Sequence, residues 1–250
     1  MTDQSRRILL AGGAVIALVM YLQTPTLPQP LSQESRTGFK SGAPRAQTWF
    51  VAFSDLAGHD AAESAINSMA AQGIMHGLTP TQFAPEMPLT RGDFVIAMQR
   101  MFNLPPSQSI AFSDVAPANP VYPALQAVGP YLGRQLLCFG CALGTNFMPS
   151  QAISKAEAIF TMTRVLAALN KLQLLSPSDA DSVLAGIPDL SELSPPSRVY
   201  FATAIRNGIS PLGPENRILP ASEVTRADAA VLLDRVQRKF DIPRLPPSPD

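Results

Sequence analysis

The sequence predicts an all-α protein of three helix–loop–helix repeats, with an N-terminal transmembrane or signal helix in front of them. Three observations point there. A phrase is spelled three times at constant spacing: Phe83-x-Pro85 then Thr90-Arg91-Gly92-Asp93, Phe147-x-Pro149 then Ser154-Lys155-Ala156-Glu157, and Ile218-x-Pro220 then Thr225-Arg226-Ala227-Asp228. The segments after the phrase place their apolar residues in one helical register. An uncharged run follows a pair of arginines near the start of the chain. An internal repeat of this kind governs the whole fold.

Arg6 and Arg7 precede the uncharged run Ile8 to Leu22. As a helix that run spans roughly 22 Å, short of a ~30 Å hydrocarbon core but within reach of tilt and thinning. It fits the apolar core of a signal peptide and also a short membrane anchor. Its end, Val19-Met20-Tyr21-Leu22-Gln23, offers no pair of small residues for cleavage, which favours an uncleaved anchor with the arginines inside. Ser5-Arg6-Arg7 is faintly similar to a twin-arginine export signal. On either reading the bulk of the chain is expected outside the cytoplasm. Residues 23–47, with Pro25, Pro28 and Pro30 and no periodicity, read as an extended linker.

The first repeat (53–104) opens with Phe53-Ser54-Asp55-Leu56. Ala62, Ala65, Ile66, Met69 and Ala70 then recur at helical spacing up to Gly73. After the loop, a second helix from Thr90 carries Phe94, Val95, Met98, Met101 and Phe102. The second repeat (112–169) opens with Phe112-Ser113-Asp114-Val115. Its first helix carries Tyr122, Leu125 and Val128 and continues irregularly past Pro130; its second carries Ala158, Ile159, Met162, Val165 and Leu166. The third (187–238) opens with Ile187-Pro188-Asp189-Leu190, and its second helix carries Ala229, Ala230, Leu233 and Val236. Counted from the hydroxyl residue, the offsets agree in all three helices, except that Gln237 replaces an apolar residue at the twelfth. One register implies three equivalent packing environments. Residues 172–186 read as a Ser/Asp-rich connector, and 241–250 as a loose Pro-rich tail.

Within the phrase, a hydroxyl followed three residues later by a carboxylate is a capping box. Thr90 with Asp93, Ser154 with Glu157, and Thr225 with Asp228 are therefore the predicted helix caps. The cation between them is not explained by capping, because a positive charge at the first helical position opposes the helix dipole. Arg91, Lys155 and Arg226 either pair with nearby acids or present themselves to an anionic ligand.

The run Phe-Ser-Asp-Leu, a helix, Gly-Ile-x-x-Gly, Phe-x-Pro and Thr-Arg-Gly-Asp-Phe resembles an S-layer homology domain, and the resemblance covers about residues 53–238. It implies a pseudo-threefold helical module that attaches without covalent bonds to a peptidoglycan-linked cell-wall polysaccharide, often an acidic one. It also implies polysaccharide contacts at Arg91, Lys155 and Arg226. Counting back from the matched helices puts Ala61, Pro120 and Pro196 where the family carries a tryptophan; the chain's single Trp is Trp49.

The remaining composition narrows the function. Nineteen basic and nineteen acidic residues cancel, which argues against nucleic acid as a partner. Cys138-x-x-Cys141 suggests a local disulfide outside the cytoplasm. A zinc site would need two more ligands, and the two histidines, His59 and His76, fall in another repeat. No metal or cofactor is expected. The recurring acids are absorbed by caps and repeat openings, so no catalytic constellation is predicted. The expectation is a non-catalytic cell-envelope protein tethering membrane to wall. The alternative is a membrane-tethered scaffold whose repeats hold a protein partner.

Overall fold

The computed structural model describes residues 53–107, 112–132 and 146–246, all within the unit Gln47–Asp250. The expected N-terminal helix and linker, Trp49, and the expected disulfide of Cys138 and Cys141 lie outside the described residues. Among the described residues no helix is long and apolar enough to cross a membrane.

Each repeat supplies two helices. They are α1 (Asp60–Ala71) and α2 (Arg91–Phe102), then α3 (Tyr122–Val128) and α4 (Lys155–Ala168), and finally α6 (Pro195–Arg206) and α7 (Arg226–Lys239). A 3-10 turn, Gly129–Tyr131, continues α3, because Pro130 has no N–H with which to extend an α-helix. Between α4 and α6 lies α5 (Pro177–Leu184), which the sequence reading passed over as connector. Its start is well specified: Ser176 caps it, Pro177 occupies the first turn, and Asp179 donates its N–H to the Ser176 hydroxyl. Only Ala180 and Leu184 of α5 are buried, too few to show as periodicity, and α5 packs on α6.

The packing order is cyclic. The first helix of each repeat lies on the second helix of the repeat before it: α3 on α2, α6 on α4, and α1 on α7. The last pairing joins the two ends of the repeat region. Apolar positions predicted from the register fill the core, with Ile66, Met69, Phe94, Met98, Met162 and Leu233 fully buried.

The backbone is cyclic too. Leu89 N–H donates to Val224 O at 2.8 Å, Val224 N–H to Ile153 O at 3.1 Å, and Ile153 N–H to Leu89 O at 2.9 Å. These residues precede the three hydroxyl caps, and all are buried. A closed ring of hydrogen bonds thus joins all three repeats, satisfying backbone groups that burial would otherwise leave unpaired.

Gln237, the one departure from the apolar register, belongs to the ring closure. It exchanges two hydrogen bonds with Gln72, the residue at the C-terminal cap of α1, Gln72 Nε2 to Gln237 Oε1 at 3.0 Å and Gln237 Nε2 to Gln72 Oε1 at 2.8 Å. Leu245 N–H donates to Gln72 Oε1 at 3.1 Å and Ile242 is buried. The tail expected to be loose is therefore held against α1 as far as Leu245, because the polar pair gives its backbone an acceptor.

Candidate functional site

The recurrent phrase organises the candidate surface. The hydroxyls of Thr90, Ser154 and Thr225 accept from the N–H of Asp93, Glu157 and Asp228 at 3.0, 3.3 and 3.1 Å. In α4 and α7 the acid returns the bond: Ser154 N–H reaches Glu157 Oε2 at 2.9 Å, and Thr225 N–H reaches Asp228 Oδ2 at 3.3 Å. In α2, Asp93 instead accepts the Thr90 hydroxyl proton at 2.7 Å.

The next two N–H groups of each helix do not wait for a ligand. Arg91 and Gly92 donate to Gln151 O and Pro149 O; Lys155 and Ala156 donate to Ser222 O and Pro220 O; Arg226 and Ala227 donate to Met87 O and Pro85 O. Each helix end is thus plugged by the proline loop of the following repeat, cyclically. This explains the small residue in the phrase. A Cβ added at Gly92 would sit 3.1 Å from Pro149 O and 3.0 Å from Val121 Cγ2.

The loops themselves are held by the opening aspartates. Asp55 accepts from Phe83 and Ala84 N–H at 3.0 and 2.7 Å, Asp114 from Phe147 and Met148 at 2.7 and 2.6 Å, and Asp189 from Ile218 and Leu219 at 2.9 and 2.7 Å. Ala84, Met148 and Leu219 adopt φ of 59°, 57° and 55°, a left-handed conformation unfavourable for side-chain-bearing residues. The two charge-assisted bonds from each aspartate stabilise it.

The three cations then take different surroundings. Arg91 Nη2 donates to Glu157 Oε1 at 2.7 Å, Nη1 to Gln151 Oε1 at 3.0 Å, and the guanidinium lies 5.7 Å from the Phe147 ring centre. Arg226 donates from Nε to Phe83 O at 2.8 Å and from Nη2 to His76 O, and lies 4.7 Å over the Phe83 ring. Both are buried, 2% and 5% exposed. Lys155 is half-buried, and Ile218 occupies the phrase position of those two phenylalanines in the repeat it meets. Burial pushes the Lys155 pKa down, while the charges of Asp189 and Asp228 act to raise it, and the net shift is downward. Glu157, which the sequence assigns only to a cap, also carries the ion pair with Arg91.

A second set of cations escaped the sequence reading. Arg100, Arg164 and Arg235 stand ten residues after the three caps. Each donates to a carbonyl at the end of its own repeat's first helical segment: Gly73 O at 3.0 Å, Leu132 O at 3.3 Å and Ile209 O at 3.2 Å. Constant spacing would have revealed them.

Lys155 and Arg235 line one groove of about 270 Å³ between the second and third repeats. Ile159, Val231 and Leu232 give it an apolar wall, and Glu223 and Asp228 bring carboxylates. Such a groove can bind a small polar ring. The positions where tryptophan was expected, Ala61, Pro120 and Pro196, are exposed and lie outside its lining. Among the described residues no group of three or more His, Cys, Asp or Glu side chains could hold a metal.

Residues 52–95 match the S-layer homology domain family. The chain is also similar to an amylopullulanase of Thermoanaerobacterium thermosulfurigenes, 28% identical over 178 residues, covering 69% of this chain and 9% of that protein. It is 27% identical over 189 residues to exoglucanase XynX of Acetivibrio thermocellus, covering 73% of this chain and 16% of the relative. The chain therefore spans a small part of the length of both relatives.

Proposed function

We propose that this chain is a non-catalytic cell-envelope protein that attaches, without covalent bonds, to a peptidoglycan-linked wall polysaccharide through three S-layer homology repeats. S-layer homology domains are generally cell-wall anchoring modules, and residues 52–95 match that family. The observation that carries the reading to the whole repeat region is the sameness of contacts. The capped helix, the plugged helix end and the aspartate-held loop of the matched repeat recur in the other two. Of the three predicted contact residues, Lys155 stands in an open groove, while Arg91 and Arg226 are turned to internal partners. Attachment to a membrane through residues 8–22 would let the protein hold membrane and wall together, and the arginine pair before that run supports it.

Co-sedimentation of the full chain, kept in mild detergent, with purified sacculi tests the proposal. The chain is expected in the pellet at low salt. A chain that stays in the supernatant, as a scaffold for a protein partner would, overturns it.

A further inference from the structure

We propose that the ring is keyed: the seams α4–α6 and α7–α1 carry side-chain pairs that do not fit one another, and these pairs make the chain close on itself as a monomer rather than join end to end with further copies. The need arises from the repeat itself. Each seam sets a first helix on the second helix of the preceding repeat, so the same contacts could link one chain to the next without limit. The plugged helix ends and the aspartate-held loops recur at every seam, so none of them tells α7 whether it has met α1 or α6. These two helices are close rivals. Both are 12 residues long, and one constant offset carries Asp60 onto Pro195, Gln72 onto Asn207 and Thr90 onto Thr225.

The seams differ at two places in the shared register. Six residues after the hydroxyl cap stand Ile96 in α2, Phe160 in α4 and Val231 in α7; twelve after it stand Phe102, Leu166 and Gln237. On α4, Phe160 meets Tyr200 of α6 edge to face, with ring centres 4.4 Å apart. The residue of α1 at the Tyr200 position is Ala65, which is buried. On α7, Gln237 exchanges its two hydrogen bonds with Gln72, and both amides are buried. The residue of α6 at the Gln72 position is Asn207, whose amide turns back onto Thr203 O at 2.8 Å. One seam is thus matched ring to ring and the other amide to amide.

Exchanging the two helices spoils both matches. In the common register, α1 seated on α4 brings Ala65 to the Phe160 ring and leaves a gap, and it brings Gln72 to Leu166 and leaves a buried amide without a partner. With α6 seated on α7, Tyr200 meets the smaller Val231, and Gln237 is offered an asparagine one methylene shorter than its present partner. A single buried amide pair fixes register and partner number in coiled coils by the same penalty. The connecting chain holds α1 near its own seat at an effective concentration on the order of mM, so a helix from another copy competes only in concentrated protein. One orphaned amide lowers the share of that competitor roughly tenfold or more.

The test refolds the full chain from urea in mild detergent and reads its mass by sedimentation equilibrium in density-matched buffer. The unaltered chain should be monomeric from about 1 µM to about 100 µM, well below the effective concentration of its own helix. Gln72→Leu/Gln237→Leu gives α7 the residue that α4 carries at that position, so the fold should be kept. Its oligomers should reach about a tenth of the protein at about 100 µM, at least about fivefold more than in the unaltered chain, and disperse on dilution. Phe160→Ile/Tyr200→Ala, which gives α4 the residue of α2 and α6 the residue of α1, should do the same. Thr225→Ala, which weakens the fold through a lost cap alone, should stay monomeric. Monomer at every concentration in the amide variant overturns the keyed ring. Equal oligomer in Thr225→Ala overturns it as well, by tracing association to lost stability, and so does equal oligomer in the unaltered chain.

Discussion

The guanidinium of Arg226 lies 4.7 Å over the ring of Phe83, and its Nε donates to the Phe83 carbonyl across 143 residues of sequence. The phrase that ends the repeat region is thereby fastened to the phrase that begins it. Arg226→Met removes two charge-assisted donors and the cation–π contact, and should cost about 3 kcal/mol. Phe83→Leu keeps the carbonyl bond and should cost about 1–2 kcal/mol. Urea denaturation checks both, and a larger loss from Phe83→Leu would contradict the ranking.

Gln72 and Gln237 should behave as one unit. Either one changed to Leu leaves a buried amide without its partner, at about 2 kcal/mol each. The double variant should be more stable than the sum of the singles implies by about 1 kcal/mol or more, because neither amide is left facing a leucine. A double-mutant cycle reads the coupling directly; additive losses would show that the pair does not close the ring.

The small residue after each cation answers to packing. Ala156 is fully buried and donates to Pro220 O at 2.9 Å. Ala156→Leu forces a larger side chain against the third repeat's loop and should cost about 2 kcal/mol or more. Thr225→Ala, which loses only a cap, should cost about 1 kcal/mol. Thermal melts of the two variants compare these effects, and an equal or reversed order would count against the plugged helix ends.

Acid stability should depend on the opening aspartates. Burial acts to raise the pKa of Asp55 and Asp189, but the backbone donors at Phe83, Ala84, Ile218 and Leu219 outweigh it, and both lie below the ordinary value. A folded-state pKa lower than the unfolded one gives stability that is full above about pH 4 and lost as pH falls through the depressed values. Glu157 has the opposite sign. Burial holds its pKa up despite the Ser154 N–H and Arg91, so its own contribution does not fall on acidification. Asp189→Asn should therefore flatten the loss of stability below about pH 4. Melts across that range test this, and an unchanged slope would contradict it.

Local patterns were legible in the sequence and cyclic ones were not. The helix starts at Thr90, Ser154 and Thr225 follow from hydroxyl–acid spacing, and the buried faces follow from the register. The partners of Arg91 and Arg226 could not be read, since Glu157, Phe83 and His76 belong to other repeats and are reached only when the chain closes on itself. Gln237 looked like a lapse in the register because its partner lies 165 residues away. Arg235 was visible by spacing, yet its place beside Lys155 required the packing of α4 against the third repeat.

Binding to two kinds of wall preparation tests the functional account most directly. Intact sacculi should retain the full chain, and sacculi stripped of polysaccharide by hydrofluoric acid should release it. Equal retention on stripped sacculi, or no retention on intact ones, would contradict attachment through wall polysaccharide.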